Sequence, residues 1–167
     1  MSLPETLFTI SPSNDSTIVL EVLKTGLMRR RKHHLFFDNF RGELRYMPDR
    51  PESSRVNITI DAASVTCRDQ WLKKKKQQAV TRYAKNQILE ADRHPEITFT
   101  STRISLKPLR GFVVEGVLKV RGIGRTVKLN IVLNPMKNER FQIDGDASIH
   151  LPDFGVKPHS SLFGLIG

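Results

Sequence analysis

The stretch PEITFTSTRISLKPLRGFVVEGVLKVRGIGRTVKLNIVL, residues Pro95 to Leu133, decides the fold. Ile97 and Phe99 alternate with Thr98 and Thr100. Phe112, Val114, Leu118 and Val120 alternate with Val113, Glu115, Val117 and Lys119. Val127, Leu129, Ile131 and Leu133 alternate with Lys128, Asn130 and Val132. Successive side chains of a strand point to opposite faces, so a two-residue period held this long marks antiparallel strands with one face buried and one wet. Lys107-Pro108 with Gly111, and Gly122 with Gly124, supply the turns between them. The stretch is a meander.

The chain on either side extends it. Leu7 to Ile10 reads as a first strand, stopped by the turn cluster Ser11-Pro12-Ser13-Asn14-Asp15, and Thr17 to Lys24 as a second with Ile18, Leu20 and Val22 on one face. Leu35 to Met47 reads as one long strand placing Phe36, Phe40, Leu44 and Tyr46 together, with Gly42 expected at a bulge or bend. Arg55 to Asp61 is a further strand. Residues 67–91 lack Gly and Pro and carry Leu72, Val80, Tyr83, Ala84 and Ile88 near helical spacing. After the meander, Phe141, Ile143, Ala147 and Ile149 alternate once more, and Pro152 to Gly155 ends that strand. The fold class expected is all-β: an extended antiparallel β-barrel of about eight strands with one helical insert around residues 67–91, because strands in meander order close without crossovers and closure removes exposed edges.

The 167 residues are expected to form one domain, 1–167. Lys and Arg number 27 against 17 Asp and Glu, a net charge of +10 that favours polyanionic partners. The charge is concentrated in Arg29-Arg30-Arg31-Lys32 and Lys73-Lys74-Lys75-Lys76. No apolar run approaches the roughly 18 residues that span a bilayer. Met1 to Asn14 has neither a basic nor an apolar leader segment, so the compartment expected is cytoplasmic for a native N-terminus and periplasmic if a leader has been removed. With Cys67 alone, an internal disulfide is excluded, and the residue reads as a solvent-near side chain at a helix start.

The sequence offers little catalytic chemistry. It contains no GxSxG, no P-loop and no HExxH, and Gly122-Ile123-Gly124 lies between strands rather than before a helix. His33 and His34 are adjacent on a strand and point to opposite faces, so no metal site is expected there. Asp144 and Asp146, flanking Gly145, read as a polar bend rather than an acid–base pair. No catalytic residue is expected, and no enzyme.

The positive signal is apolar volume facing inward. A barrel of about eight strands either packs solid or holds one ligand, and Gly116, Gly145 and Ala147 stand where bulky filler would be expected. The basic runs have two readings besides a solvated face. One is a rim for a phosphorylated head group or an anionic membrane surface. The other is a nucleic-acid-binding barrel gripping phosphates, with Phe36, Phe37 and Trp71 available to stack on bases.

Several segments, taken in order, carry a resemblance. These are Asn39-Phe40-Arg41-Gly42-Glu43-Leu44, Ile60-Asp61-Ala62-Ala63-Ser64-Val65, Arg68-Asp69-Gln70-Trp71-Leu72, His94 to Thr102, Gly116 to Gly122, and Asp153-Phe154-Gly155 with Gly164. From about Phe8 to Gly167 the chain resembles the YceI-like family of lipid-binding proteins. The resemblance implies a lipocalin-like barrel that binds an isoprenoid lipid, a polyprenyl phosphate or quinone, in an apolar tunnel for storage, transport or sensing, with no cofactor. It also implies a bacterial, commonly periplasmic and often dimeric protein. Three features depart from the family pattern: Asn14-Asp15-Ser16 replaces its usual His-Ser, the loop at Arg29 to His34 is more basic, and family members usually continue past the position of Gly167 into a closing strand. On this reading Leu20, Phe36, Phe40, Ile58, Phe99, Phe112, Val114, Leu118, Leu129 and Phe141 line the cavity, and Arg29, Arg30, Arg31 and Lys32 hold the head group.

Overall fold

The alternating segments form two antiparallel sheets in the computed structural model, which describes residues 3–13, 16–22, 32–109, 111–138 and 140–157. The strands are β1 (Thr6–Ile10), β2 (Ile18–Val22), β3 (His33–Phe37), β4 (Phe40–Tyr46), β5 (Arg55–Asp61), β6 (Val65–Cys67), β7 (Glu96–Leu106), β8 (Phe112–Val120), β9 (Ile123–Pro135) and β10 (Phe141–Asp146). Seven of them form a curled sheet in the order β1-β4-β5-β7-β8-β9-β10, and the other three form a small sheet in the order β2-β3-β6. The large sheet is a half-barrel. Its edge strands β1 and β10 approach through side chains, with Phe8 and Phe141 edge to face at 5.9 Å between centroids, and no ladder joins them among the described residues.

The meander forms as its alternation requires. The β8–β9 hairpin turns on Arg121 and Gly122, both at positive φ (53° and 73°), with Val120 opposite Ile123. Two successive positive φ values suit the right-handed twist of hairpin strands, and glycine at the second position adopts one without strain. The turn is therefore tighter than the span from Gly122 to Gly124, and Gly124 lies within β9.

The expected long strand from Leu35 to Met47 is two strands in different sheets. The break comes at Asp38-Asn39, whose amides bond to the Ser64 carbonyl and hydroxyl at 3.4 and 3.1 Å. Phe37 and Phe40, three residues apart, are both buried, so the two-residue phase slips at this corner. Gly42 is not a bulge. The β4–β5 register is unbroken from Phe40↔Ile60 to Arg45↔Arg55, and a Cβ at Gly42 would lie 2.6 Å from the Asn57 carbonyl oxygen. The bulge lies in β7, between Ser101 and Arg103.

The helical insert begins later than residue 67. After β6 it comprises α1 (Lys74–Tyr83) and one wide turn, Ala84–Ile88. Val80, Ala84 and Ile88, spaced four apart, are buried against Phe37, Ala62, Val65 and Ile97, and Phe154 closes the same core at 1% exposure. The core sits at one end of the half-barrel, capped by the small sheet and the helix. A second core, built on Phe99, Ile104 and Val114, lies inside the curled sheet.

Candidate functional site

The inward face of the curled sheet forms an apolar groove above the second core. Its walls are Ile10, Leu44, Tyr46, Pro51, Ser54, Val56, Ile58, Ile104, Phe112, Val114, Leu129, Ile131, Leu133 and Ile143, around about 630 Å³ of empty space that includes solvent at the mouth. A neighbouring recess at the β1–β10 seam is lined by Phe8, Thr9, Ile10, Leu44, Tyr46, Leu133, Phe141 and Ile143. Alternation explains the walls. On β8 and β9 the inward residues Phe112, Val114, Leu129 and Ile131 share one face. On β7 the bulge moves the inward phase from Ile97, Phe99 and Ser101 to Ile104, all four buried.

Of the residues expected to line a cavity, Ile58, Phe112, Val114 and Leu129 line the groove, and Phe141 lines the recess beside it. Phe99 is buried in the core below the groove, and Leu118 packs against both cores. Phe40 is buried at the start of β4, opposite Ile60. Leu20 packs on the helix-side core. Phe36 lies on the other face of β3 from Leu35 and Phe37, with the Arg68 guanidinium 4.7 Å above its ring. The expected lining omitted Leu44, Val56, Ile104, Ile131, Leu133 and Ile143. Strict alternation could have supplied all of these except Ile104, which the bulge brings into phase.

The two glycines among the small residues do not mark empty space. A Cβ at Gly116 would lie 2.4 Å from the Phe99 ring, and one at Gly145 would lie 2.6 Å from Ile131 Cδ1. Those larger neighbours fill the volume the glycines vacate.

Of the first basic run, Arg29, Arg30 and Arg31 lie outside the described residues. Lys32 is exposed beside the small sheet, paired with Glu21 at 2.6 Å, and is not a groove wall. Lys73 to Lys76 lie at the start of α1, at the capped end. Of the aromatics considered for base stacking, Phe37 is buried, Phe36 is covered by Arg68, and Trp71 is 37% exposed.

Sequence reasoning missed a buried polar cluster at the capped end. Cys67 is not solvent-near at a helix start; it is 3% exposed in β6. Its thiol donates to Asp69 Oδ2 at 3.3 Å, His33 Nδ1 lies 2.7 Å from the same oxygen, and the His34 amide donates to Oδ1 at 3.0 Å. The His33 ring tilts against Trp71, centroids 5.1 Å apart. Burial alone would raise the Asp69 carboxyl, but the hydrogen bonds from His33, His34 and Cys67 prevail and hold it below the ordinary carboxylate value. Burial is also the main cause that pushes the Cys67 thiol up to about 11. His33, Cys67 and Asp69 have donor atoms within 4.8 Å of one another, a set that could hold a metal ion. Their mutual hydrogen bonds already satisfy them, and among the described residues no buried side-chain nitrogen or oxygen lacks a partner. The signal for His33 was its place in phase with Leu35 and Phe37.

A curled antiparallel half-barrel with an apolar groove on its inward face and one helix at its capped end defines the class of fold. The chain matches the YceI-like domain over residues 8–167 and belongs to that family, whose barrel is known for binding hydrophobic ligands. A UPF0312 protein of Pectobacterium carotovorum is 28% identical over 125 residues, 72% of this chain and 61% of that protein. One from Photorhabdus laumondii is 28% identical over 130 residues, 72% of this chain and 62% of that protein. The chain thus spans about three fifths of these relatives' length. Among solved structures, Burkholderia cenocepacia BcnA shares the fold with a TM-score of 0.64 at 19% identity, over 93% of this chain and 83% of that one. The Campylobacter jejuni YCEI protein does so at 0.58 and 17% identity, over 81% and 78%.

Proposed function

We propose that this protein binds an isoprenoid lipid, of polyprenyl phosphate or quinone type, without catalysis, as a carrier or sensor. The observation supporting this is the groove itself, whose walls are almost wholly hydrocarbon and lie inside the sheet rather than on its outer face. Such a surface offers no directional contacts, so a ligand gains affinity in proportion to its own buried hydrocarbon, about 0.8 kcal/mol per CH₂ before ordering costs. Branched prenyl units suit walls built from Ile, Leu and Val side chains.

The test is native mass spectrometry of the purified protein, followed by organic extraction. A bound lipid with prenyl-repeat mass is the expected result. Ile131→Arg and Leu129→Arg place charge on half-buried walls, and in folded protein they should abolish retention; retention equal to the parent would refute the groove as the site. Retention should barely respond to salt, whereas a polyanion held by the basic runs would be released steeply.

A further inference from the structure

We propose that the open end of the half-barrel, where the β7–β8 and β9–β10 turns project, docks on the surface of an anionic lipid membrane. The proposal deepens the lipid-binding reading of the groove and rests on it for the cargo.

The two ends of the large sheet differ sharply. Antiparallel pairing brings the start of β1, the β4–β5 connection and the β7–β8 and β9–β10 turns to one end: Thr6 lies opposite Tyr46, Leu106 opposite Phe112, and Phe141 opposite Pro135. There the chain exposes Leu3 (57%), Leu7 (58%), Leu106 (61%), Leu109 (97%) and Met136 (53%). The opposite end is capped by the helix and small sheet, which bury most of its apolar residues in one core and leave Val19 (41%) and Trp71 (37%) exposed apart from one another in the sequence. Isolated apolar side chains on a surface are ordinary, but several gathered on neighbouring turns call for a partner.

Charge identifies the partner. The tips lie among cations: Lys107 between Leu106 and Leu109, Lys137 after Met136, then Arg140, with Arg50 on the β4–β5 connection and Arg55 at the start of β5. The carboxylates among the described residues of these turns are Glu5, Asp49 and Glu52, and Asp49 already accepts from the Leu3 amide. Short apolar tips ringed by lysine and arginine suit a headgroup layer, where leucine enters the acyl boundary and the cations meet lipid phosphates. A protein partner would call for a contiguous, shape-matched apolar centre, with charge confined to the rim. The tips also continue the groove, since Pro51, Ser54, Ile104 and Phe112 line it immediately behind them. A lipid leaving a docked membrane would enter that end.

The test is flotation with vesicles of phosphatidylcholine alone and of phosphatidylcholine containing about one third phosphatidylglycerol. The whole chain should float with the anionic vesicles, less with the neutral ones, and less again at about 1 M salt. Leu109→Asp and Met136→Asp alter exposed tips and leave the folded core intact. Each should weaken flotation roughly tenfold or more, whereas Val19→Ser, exposed on β2, should have no effect. Absence of flotation by the parent, or undiminished flotation by both tip variants, overturns the proposal. Equal, salt-insensitive flotation on neutral vesicles also overturns it. Organic extraction separates this proposal from the parent reading. A protein that floats but yields no lipid refutes the carrier and retains the docking surface, and a lipid-loaded protein that ignores vesicles does the reverse.

Discussion

The capped end and the open end of the half-barrel are built from the same alternating strands but resolve differently. At the capped end, side chains from strands, helix and the turn at Phe154 interlock until Ala62, Ala84 and Phe154 are at most 1% exposed. At the open end the inward residues Val56, Ile58, Phe112, Leu129 and Ile131 are only partly buried, although they are as apolar. The difference is a lid. The helix and small sheet supply a second layer over one end, and among the described residues nothing supplies it over the other. A sheet face without a second layer leaves its hydrocarbon available. Stability is concentrated where the layers meet, and open hydrocarbon where they do not.

The largest test of that contrast compares truncations. Phe154→Ala should lower unfolding free energy by about 3–5 kcal/mol in a urea titration, through a cavity its neighbours cannot fill. Leu129→Ala should cost about 1 kcal/mol, because part of its side chain already meets water, and should reduce lipid retention. Equal losses would show the groove packed as tightly as the capped end. Next in size is Gly116→Ala, which drives a methyl into the Phe99 ring and the Thr100 carbonyl. A loss of about 1–3 kcal/mol is expected from that overpacking, and because Phe99 pairs with Leu118, which touches both cores, the loss would measure how firmly the two ends are coupled.

Smaller effects come from the buried cluster, and they belong to the capped end alone. The folded Asp69 carboxyl lies below its ordinary value of 3.8, so the unfolded chain binds the proton more readily. The resulting stability is fully present above the ordinary value and is lost as pH falls through the lowered one. Asp69→Asn should flatten that acid limb in thermal melts between roughly pH 5 and pH 2, while the groove variant Leu129→Ala leaves its shape unchanged. The Cys67 thiol, raised from 9.0 to about 11, should resist a thiol reagent at about pH 8 until the protein unfolds. Rapid labelling of the folded protein would mean that the capped end opens locally.

The meander, the helical insert and four of the groove walls were legible because each is written in a single period, two for strands or about four for the helix. What was not legible lies where a period breaks or a contact spans distance. The corner at Asp38-Asn39 slips the phase by one residue, so one apparent strand divides between two sheets. β6 is only three residues long, Val65–Cys67, too short to show alternation at all. The bulge at Ser101 moves Ile104 inward without any glycine to announce it. His33 and Asp69 are 36 residues apart, and their pairing is a consequence of the fold rather than of local sequence. Gly116 and Gly145 suggested a void because a missing side chain looks like space, but the neighbour that fills the space is on another strand.

The seam between β1 and β10 sets how this hoop can change its girth. Parting any other adjacent strands of the large sheet severs a ladder of backbone hydrogen bonds, each group then needing a new partner. Parting β1 from β10 separates the ring contact of Phe8 and Phe141, worth about 0.5–1.5 kcal/mol beyond its buried area. The hoop therefore has one clasp weaker than its links: a change of girth costs least at the β1–β10 seam, where every ladder can stay intact.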